Sequence, residues 1–151
     1  MTHSKNLKIE GTGEVYNKSK NAEGEFFIKM PSNLMNYVHV PGYKPEYNYL
    51  YAIIVDFYNV EQGYAYPNEW QLSRKYGKGT RTVREHINAL VRFGLIKKFK
   101  RGLNNCYVPL QPLSQEKLFK VCPEAERKYK DEIEKEAEEF KRWELQKDSL
   151  R

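Results

Sequence analysis

The chain has 151 residues, of which 40% are apolar and 14% aromatic, and its net charge is +6. This length predicts one domain with an appended element, and the apolar fraction suffices for a modest core. Two cysteines without a CxxC spacing and three scattered histidines indicate neither a disulfide framework nor a metal site. Because no apolar run approaches the ~18 residues of a membrane span, we expect a soluble cytoplasmic protein. No carboxylates pair as acid and base, so we expect no enzyme and no cofactor.

The positive charge is concentrated in one part of the chain. Residues 1–110 carry a net charge of +7, whereas residues 111–151 carry −1. Within residues 70–101 there are ten basic residues and one acid, Glu85. Such a concentration is typical of proteins that bind a polyanion, and a solvated basic surface without a partner is the alternative.

The first elements precede this basic segment. Residues 1–24 are polar and contain glycines, which predicts a flexible N-terminal arm. The letters FFI at 26–28 then predict a short strand closed by Pro31. From Glu46 onward the apolar residues follow helical spacing, which predicts a first core helix that stops near Gly63. The apolar positions of that helix are Leu50, Ile53, Ile54, Phe57 and Tyr58.

A second, shorter helix is predicted after Pro67. Asn68 is a good N-cap, because its side-chain oxygen can accept a backbone N–H of the first turn. The segment EWQLSRKY is expected to bury Trp70, Leu72 or both. Gly77 is expected to end the helix, since glycine readily takes the left-handed conformation that stops one.

A third helix follows the tight glycine turn at 77–79. The segment TRTVREHINALVRF places Val83, Ile87 and Leu90 on one apolar stripe and ends at Gly94. His86 lies at the edge of that stripe, which favours a packing role over a ligand role. The opposite side carries Arg81, Arg84, Glu85, Asn88 and Arg92.

A β-hairpin is predicted directly after this helix. LIKKFK alternates apolar and basic residues, as a half-buried strand does. RGLNN is a turn, and CYVPL is the return strand, which Pro109 should limit to the edge of a sheet.

This order of elements predicts an α+β fold, a winged helix-turn-helix with a three-helix core and a β-hairpin wing over residues 25–112. Such domains place the N-terminal end of a recognition helix, here about 80–93, in the DNA major groove. Arginine can bind guanine through two hydrogen bonds and asparagine can bind adenine, while a basic wing, here about 97–105, contacts the backbone. The candidate DNA-binding residues are Lys78, Thr80, Arg81, Thr82, Arg84, Glu85 and Asn88, with Lys98, Lys100, Arg101 and Asn104 in the wing.

The stretch YPNEWQLSRKYGKGTRTVREHINALVRFGLIKK also resembles a bacterial helix-turn-helix segment of the form P-s-x-x-x-L-A-x-x-x-G-x-S-x-R-T-V-x-x-x-I-x-x-L-x-x-x-G-L-I. FFIKMPSNLM and YLYAIIVDFY are similar to the opening of plasmid and phage replication-initiator N-terminal domains. The resemblance covers about residues 25–110 and implies a domain used by both regulators and replication proteins. Ser73 replaces the usual alanine and Gly79 the usual N-cap serine, so we predict Thr80 as the cap. The shared positions are Pro67, Asn68, Leu72, Arg81, Thr82, Val83, Ile87, Leu90, Gly94, Leu95 and Ile96.

Residues 113–151 are predicted to form a C-terminal extension dominated by a long charged helix. Pro123 suits the first turn of a helix. One side of the helix is apolar, with Tyr129, Ile133, Phe140 and Trp143 as candidate dimerisation residues. A helix packed back on its own domain is the alternative.

Two functions are compatible with these features. The first is a double-stranded DNA-binding protein associated with the nucleoid, acting as a phage or plasmid transcription regulator or as a replication or maintenance factor. Such a protein could act as a homodimer and with a replication or transcription protein partner. The second is a winged-helix interaction module that binds an acidic protein and has only non-specific affinity for DNA.

Overall fold

The structure is a computed structural model that describes residues 6–19 and 27–150. In chain order it contains a 3₁₀ helix at Ser32–His39, α1 at Glu46–Phe57, α2 at Glu69–Tyr76, α3 at Thr80–Arg92, β1 at Ile96–Arg101, β2 at Asn104–Pro109, α4 at Gln115–Val121 and α5 at Pro123–Ser149. Three helices followed by an antiparallel hairpin and a long C-terminal helix confirm the predicted α+β winged helix.

The core is built from apolar side chains of the first three α-helices. Leu50 and Ile54 of α1, Leu72 of α2 and Leu90 of α3 are all fully buried. Burying each such side chain contributes roughly 1.5–3 kcal/mol relative to leaving it exposed. Leu95 joins them where the chain passes from α3 into β1. The helices are therefore held by one shared core that the spacing of apolar residues had indicated.

Helix α1 ends six residues before the predicted stop at Gly63. Its last residue is Phe57, and the chain then forms a turn closed by hydrogen bonds. The Asn59 side chain accepts the backbone N–H of Gln62 at 3.0 Å, and the Gly63 N–H donates to the Asn59 carbonyl at 2.8 Å. Asparagine side chains compete in this way with helical backbone bonds, so the helix ends earlier than its apolar pattern suggests.

The short helix α2 is fixed at both ends by its own sequence. Asn68 accepts the Gln71 N–H at 2.8 Å, and the Gln71 side chain accepts the Asn68 N–H at 2.9 Å, which completes a capping box. Gly77 ends the helix at φ +73°. Of the two candidate core residues, Leu72 is buried and Trp70 is 68% exposed. The predicted caps are thus confirmed.

The predicted cap of α3 is wrong by one residue. The N-cap is Gly79, and Thr80 already belongs to the helix. The Val83 N–H donates to the Gly79 carbonyl at 3.0 Å, which makes Gly79 the first acceptor of the helix. Glycine has no side chain, so no side-chain hydrogen bond caps this end.

The hairpin pairs β1 with β2 in the register Phe99 to Cys106 and Arg101 to Asn104. On its other side β2 bonds the segment between α1 and α2, because Ala65 and Tyr107 exchange backbone hydrogen bonds of 2.7 and 2.8 Å. Tyr107 therefore pairs with Lys98 of β1 on one side and with Ala65 on the other. In this two-stranded sheet β2 is an edge strand, as Pro109 predicted, and it ends at Pro109.

The strand predicted at 26–28 is wrong for the two residues that the structure describes. Phe27 and Ile28 belong to no strand and are exposed, while Phe26 lies outside the described residues. Neither Phe27 nor Ile28 is paired with β1 or β2. Within residues 6–19, the described part of the N-terminal arm, there is no helix or strand and every residue is exposed.

The C-terminal region begins with the short helix α4, which the sequence analysis missed. Leu118 of α4 and Ala125 of α5 are buried. Tyr129 packs its ring 5.3 Å from that of His39 and 5.5 Å from that of Phe119, measured between ring centres. From residue 131 to residue 150 every side chain of the chain is exposed. The proposed domain boundary at 112 stays a prediction.

No helix within residues 6–19 and 27–150 is long and apolar enough to cross a membrane. In the same part of the chain no three histidine, cysteine, aspartate or glutamate side chains come together in a way that could hold a metal ion.

Candidate nucleic-acid interface

The N-terminal turn of α3 presents unoccupied backbone donors. The first N–H groups of any α-helix have no partner within the helix, and here no side chain caps them. These amides carry the positive end of the helix dipole and suit a phosphate group. Thr80 and Thr82 are half-buried beside them, and Arg81 is exposed. This end of α3 can therefore bind an anion through both backbone and side chain.

The predicted division of α3 into two faces is confirmed. Val83, Ile87 and Leu90 are buried, and α3 contacts α1, α2 and β1 through this side. Val91, at the edge of this apolar side, is partly exposed. The exposed side carries Arg81, Arg84, Glu85, Asn88 and Arg92. The polar face of the helix is thus free to enter a groove of DNA.

Three of the predicted DNA-binding cations are paired with carboxylates. The ion pairs are Lys78 Nζ with Glu46 Oε2 at 3.1 Å, Arg81 Nε with Glu85 Oε1 at 3.4 Å, and Arg84 Nε with Glu69 Oε1 at 3.3 Å. The hydrogen bond from Lys78 lowers the pKa of Glu46. All six side chains are at least one-third exposed, and such pairs stabilise a fold by at most about 1 kcal/mol. The cations can therefore exchange these carboxylates for phosphate at little cost.

Arg84 connects α3 to the wing through the N-terminal turn of α2. Its partner Glu69 lines a surface groove between that turn and the tip of the hairpin. The other residues of the groove are Tyr66, Pro67, Asn68, Trp70, Leu103, Asn104 and Asn105. The recognition helix and the wing tip are therefore parts of one continuous surface.

The four predicted wing residues divide between the two faces of the hairpin. Strand alternation and the pairing register place Lys98 and Lys100 on the same face as the buried Tyr107. Arg101 and Asn104 lie on the opposite face, where the Arg101 guanidinium is 5.3 Å from the centre of an aromatic ring, that of Tyr64. Lys98 and Lys100 are both exposed. They lie on the face of the hairpin whose Tyr107 packs into the helical core.

Two exposed apolar residues of the groove were not predicted to belong to the site, since Trp70 was a candidate core residue and Leu103 was only part of a predicted turn. Trp70 and Leu103 are 68% and 99% exposed and lie at the α2 end and the wing-tip end of the groove. The sequence of α2 indicated that Trp70 and Leu72 are not both buried, because residues two apart in a helix point to different sides. A leucine in an otherwise polar turn is the corresponding signal at Leu103.

His86 has a structural role, as its position at the edge of the stripe predicted. It is buried, and its Nδ1 lies 2.9 Å from the Tyr76 hydroxyl oxygen. Its ring centre is 4.9 Å from that of Tyr47. Burial lowers the pKa of His86 below its ordinary value. The side chain is therefore neutral near pH 7 and does not contribute to the basic surface.

The candidate dimerisation residues of α5 have different environments. Tyr129 faces its own domain, as described above. Ile133, Phe140 and Trp143 are 49%, 58% and 55% exposed. The rings of Phe140 and Trp143 stack at 6.0 Å between centres, and the Lys147 ammonium lies 5.2 Å from the centre of the Trp143 ring. An apolar side of α5 thus remains in solvent beyond the domain.

Residues 49–96 match the family of helix-turn-helix domains, which takes in most of α1 and all of α2 and α3. One solved structure that shares the fold is the N-terminal domain of a DNA-binding protein, with 17% identity, a TM-score of 0.50 and coverage of 72% of this chain and 92% of that one. Another is a chain of a Rep–DNA complex, with 16% identity, a TM-score of 0.51 and the same coverages. No curated protein sequence matches this chain. The helix-turn-helix resemblance is confirmed, and the fold is shared with the N-terminal domain of a DNA-binding protein and with a chain of a Rep–DNA complex.

Proposed function

We propose that this winged helix-turn-helix protein binds double-stranded DNA, with α3 in the major groove and the hairpin wing along the backbone. The observation that carries the proposal is the continuous surface from the uncapped, basic end of α3 through Glu69 to the wing tip. Ten basic residues against one acid in residues 70–101 give this part of the chain the charge of a phosphate-binding surface.

The residues of α3 suit distinct parts of the duplex. Arg81 lies in the first turn of α3, where recognition helices meet base edges. Arg84 follows one turn later, and Asn88 follows Arg84 by another four residues on the same exposed side. Arginine can bind guanine O6 and N7 together, and asparagine can bind adenine N6 and N7. Glu85 is placed to orient Arg81 or to accept a hydrogen bond from cytosine.

The role of this binding is proposed to be replication or maintenance of a plasmid or phage genome, with transcription regulation as the alternative outcome of the same contacts. The shared fold with the chain of a Rep–DNA complex supports the first of these. Such a protein would act on the nucleoid in the cytoplasm without catalysing a reaction. It would bring a replication or transcription protein to the site and bind as a homodimer through α5.

The test is selection from a randomised duplex pool, followed by fluorescence anisotropy of the enriched sequence at about 150 mM salt, since affinity for DNA depends on salt. Arg84→Ala should cost about 1–3 kcal/mol of discrimination between the selected and an unrelated duplex. Arg142→Ala is the matched control, because it removes the same charge from α5, where Arg142 pairs with Glu139 at 3.2 Å. Discrimination by this control should equal that of the unaltered protein.

A second variant is expected to strengthen binding to DNA, where Arg84→Ala weakens it. Glu69→Gln removes the carboxylate that competes with DNA for Arg84 and should tighten binding to the selected duplex. Glu116→Gln is its control, since Glu116 is exposed on α4 and pairs only locally with Lys120 at 3.5 Å. Tightening by both variants would indicate net charge alone and would contradict the role of Arg84.

Equal affinity for unrelated duplexes would overturn the proposal that α3 reads sequence. It would favour the alternative, a winged-helix module that binds an acidic protein through the same surface. In that case binding of the protein partner should survive Arg81→Ala, and DNA binding should be weak and independent of sequence.

A further inference from the structure

The distal part of α5 has a regular seam along one side. The large apolar residues at 133, 140, 143 and 150 are all about half or more exposed. Glu136 and Lys147 fill the two remaining positions, so that the seam residues are separated alternately by three and four positions. This alternation is the a and d pattern of a two-stranded coiled coil. Among the described residues, nothing of the chain's own domain covers this seam.

The seam is complementary to itself when two copies run in opposite directions. An antiparallel partner centred between residues 141 and 142 places Phe140 opposite the partner's Trp143. The same register places Ile133 opposite the partner's Leu150, and Glu136 opposite the partner's Lys147. Every apolar residue then meets an apolar one, and each charge meets its opposite.

We propose that α5 pairs with α5 of a second copy as an antiparallel coiled coil in this register. The proposal gives the homodimer suggested above a direction and a register, and it does not depend on DNA binding. Opposite charges in the seam would specify the pairing, as polar seam residues do in other coiled coils.

A parallel pair of the same helices is disfavoured by charge. It would place Glu136 against the partner's Glu136 and Lys147 against the partner's Lys147 within the seam. It would also bring Glu139 beside the partner's Glu144 on both edges of the interface. In the antiparallel pair Glu139 instead lies beside the partner's Gln146, and no like charges meet in the seam. Like charges in a desolvated seam are costly, so the sequence excludes the parallel register.

The length of the seam matches the part of α5 that leaves the domain. The overlap runs from Ile133 to Leu150, and all side chains from residue 131 to residue 150 are exposed. Tyr129, one step before the seam, is already packed against His39 and Phe119. The two domains therefore lie at opposite ends of the pair without obstructing it.

Charge exchange in the full chain tests the direction. Sedimentation equilibrium of the unaltered protein over a wide range of concentrations should show a monomer–dimer equilibrium. Glu136→Lys and Lys147→Glu should each weaken dimerisation by about tenfold or more, because each places two like-charge pairs in the seam. Mixing the two variants should restore a dimer, since Lys at 136 then meets Glu at 147 and Glu at 136 meets Lys at 147. The double variant should also dimerise.

The single variants separate this proposal from its alternatives, because mixing them would pair opposite charges in a parallel dimer as well. In a parallel dimer the like residues face each other before and after exchange, so neither single variant should weaken it. Leu145→Ala is the matched control, because Leu145 is exposed on the same segment but lies outside the seam. A protein that stays monomeric at its solubility limit, or a dimer unaffected by either exchange, overturns the proposal. Circular dichroism of each variant verifies that α5 is still helical.

Discussion

Helices α3 and α5 are both amphipathic, but their apolar sides are covered in different ways. The apolar side of α3 is buried against α1, α2 and β1 within one domain. The apolar side of α5 is covered only near its start, at Ala125 and Tyr129, and is exposed from Ile133 onward. Amphipathic spacing therefore predicts that one side of a helix will be covered, but it does not predict whether its own domain or another chain covers it.

The charged sides of the two helices differ in the same way. On α5 the lysine and arginine ion pairs are local, as between Glu126 and Lys130 at 2.8 Å, and the C-terminal region is almost neutral. On α3 the acid that pairs with Arg84 comes from another helix, and basic residues remain in large excess around it. Local pairs make a helix soluble, whereas an uncompensated surface attracts an anion.

The largest difference between the two helices should appear in stability. Leu90→Ala should lower the free energy of unfolding by about 2–5 kcal/mol, because it leaves a cavity in the core. Ile133→Ala should change it by less than about 0.5 kcal/mol at concentrations where the protein is monomeric. Urea unfolding of both variants measures this. A similar loss in both would mean that the distal part of α5 packs on its own domain.

The role of positive charge can be measured in the wing. Lys98→Ala and Lys100→Ala should each weaken binding to all duplexes alike and lower the slope of log affinity against log salt by about 0.9. The cause is the loss of one phosphate contact without the loss of a base contact. Titrations at several salt concentrations measure the slope. Lys120→Ala, on α4, should leave it unchanged, and a fall there would show that the slope reports only net charge.

Asn68 and Asn88 should have different roles, the first in the stability of the fold and the second in DNA recognition. Asn68→Ala removes the capping box of α2 and should cost about 1 kcal/mol of unfolding free energy. Asn88→Ala, on the exposed side of α3, should retain stability and lose discrimination among DNA sequences. Thermal unfolding and anisotropy of both variants distinguish the roles. A loss of stability in Asn88→Ala as large as that in Asn68→Ala would contradict the assignment of Asn88 to recognition.

The smallest expected effect is a change in how steeply the free energy of unfolding depends on pH. Because burial lowers the pKa of His86 in the folded protein, the unfolded chain binds a proton first as pH falls through ~6.5. Stability should therefore decrease as pH falls below that value, and His86→Leu should flatten the decrease. Urea unfolding at several pH values between neutrality and mild acid measures this. An unchanged slope in the variant would show that the pKa of His86 is the same in the folded and the unfolded protein.

Much of the recognition helix and wing could be predicted because the signals there are local. The spacing of Val83, Ile87 and Leu90 depends only on helical geometry, and the caps at Asn68 and Gly77 depend on neighbouring backbone groups. The strand predicted at 26–28 is not formed at Phe27 and Ile28, because a strand depends on pairing with another strand, which its own residues do not determine. The division of the wing cations was also beyond the local pattern, since it requires the register with β2.

By itself, the sequence determined the ends of α2 and α3 to within one residue, which of their sides are apolar, and where positive charge accumulates. These properties follow from residue chemistry and spacing along the chain. Only the tertiary structure decided that Ala65 bonds β2, that Glu69 links Arg84 to the wing tip, and that Tyr129 is covered while Ile133 is not. Each of these depends on contacts between residues distant in sequence, for which a single chain's local pattern carries no physical signal.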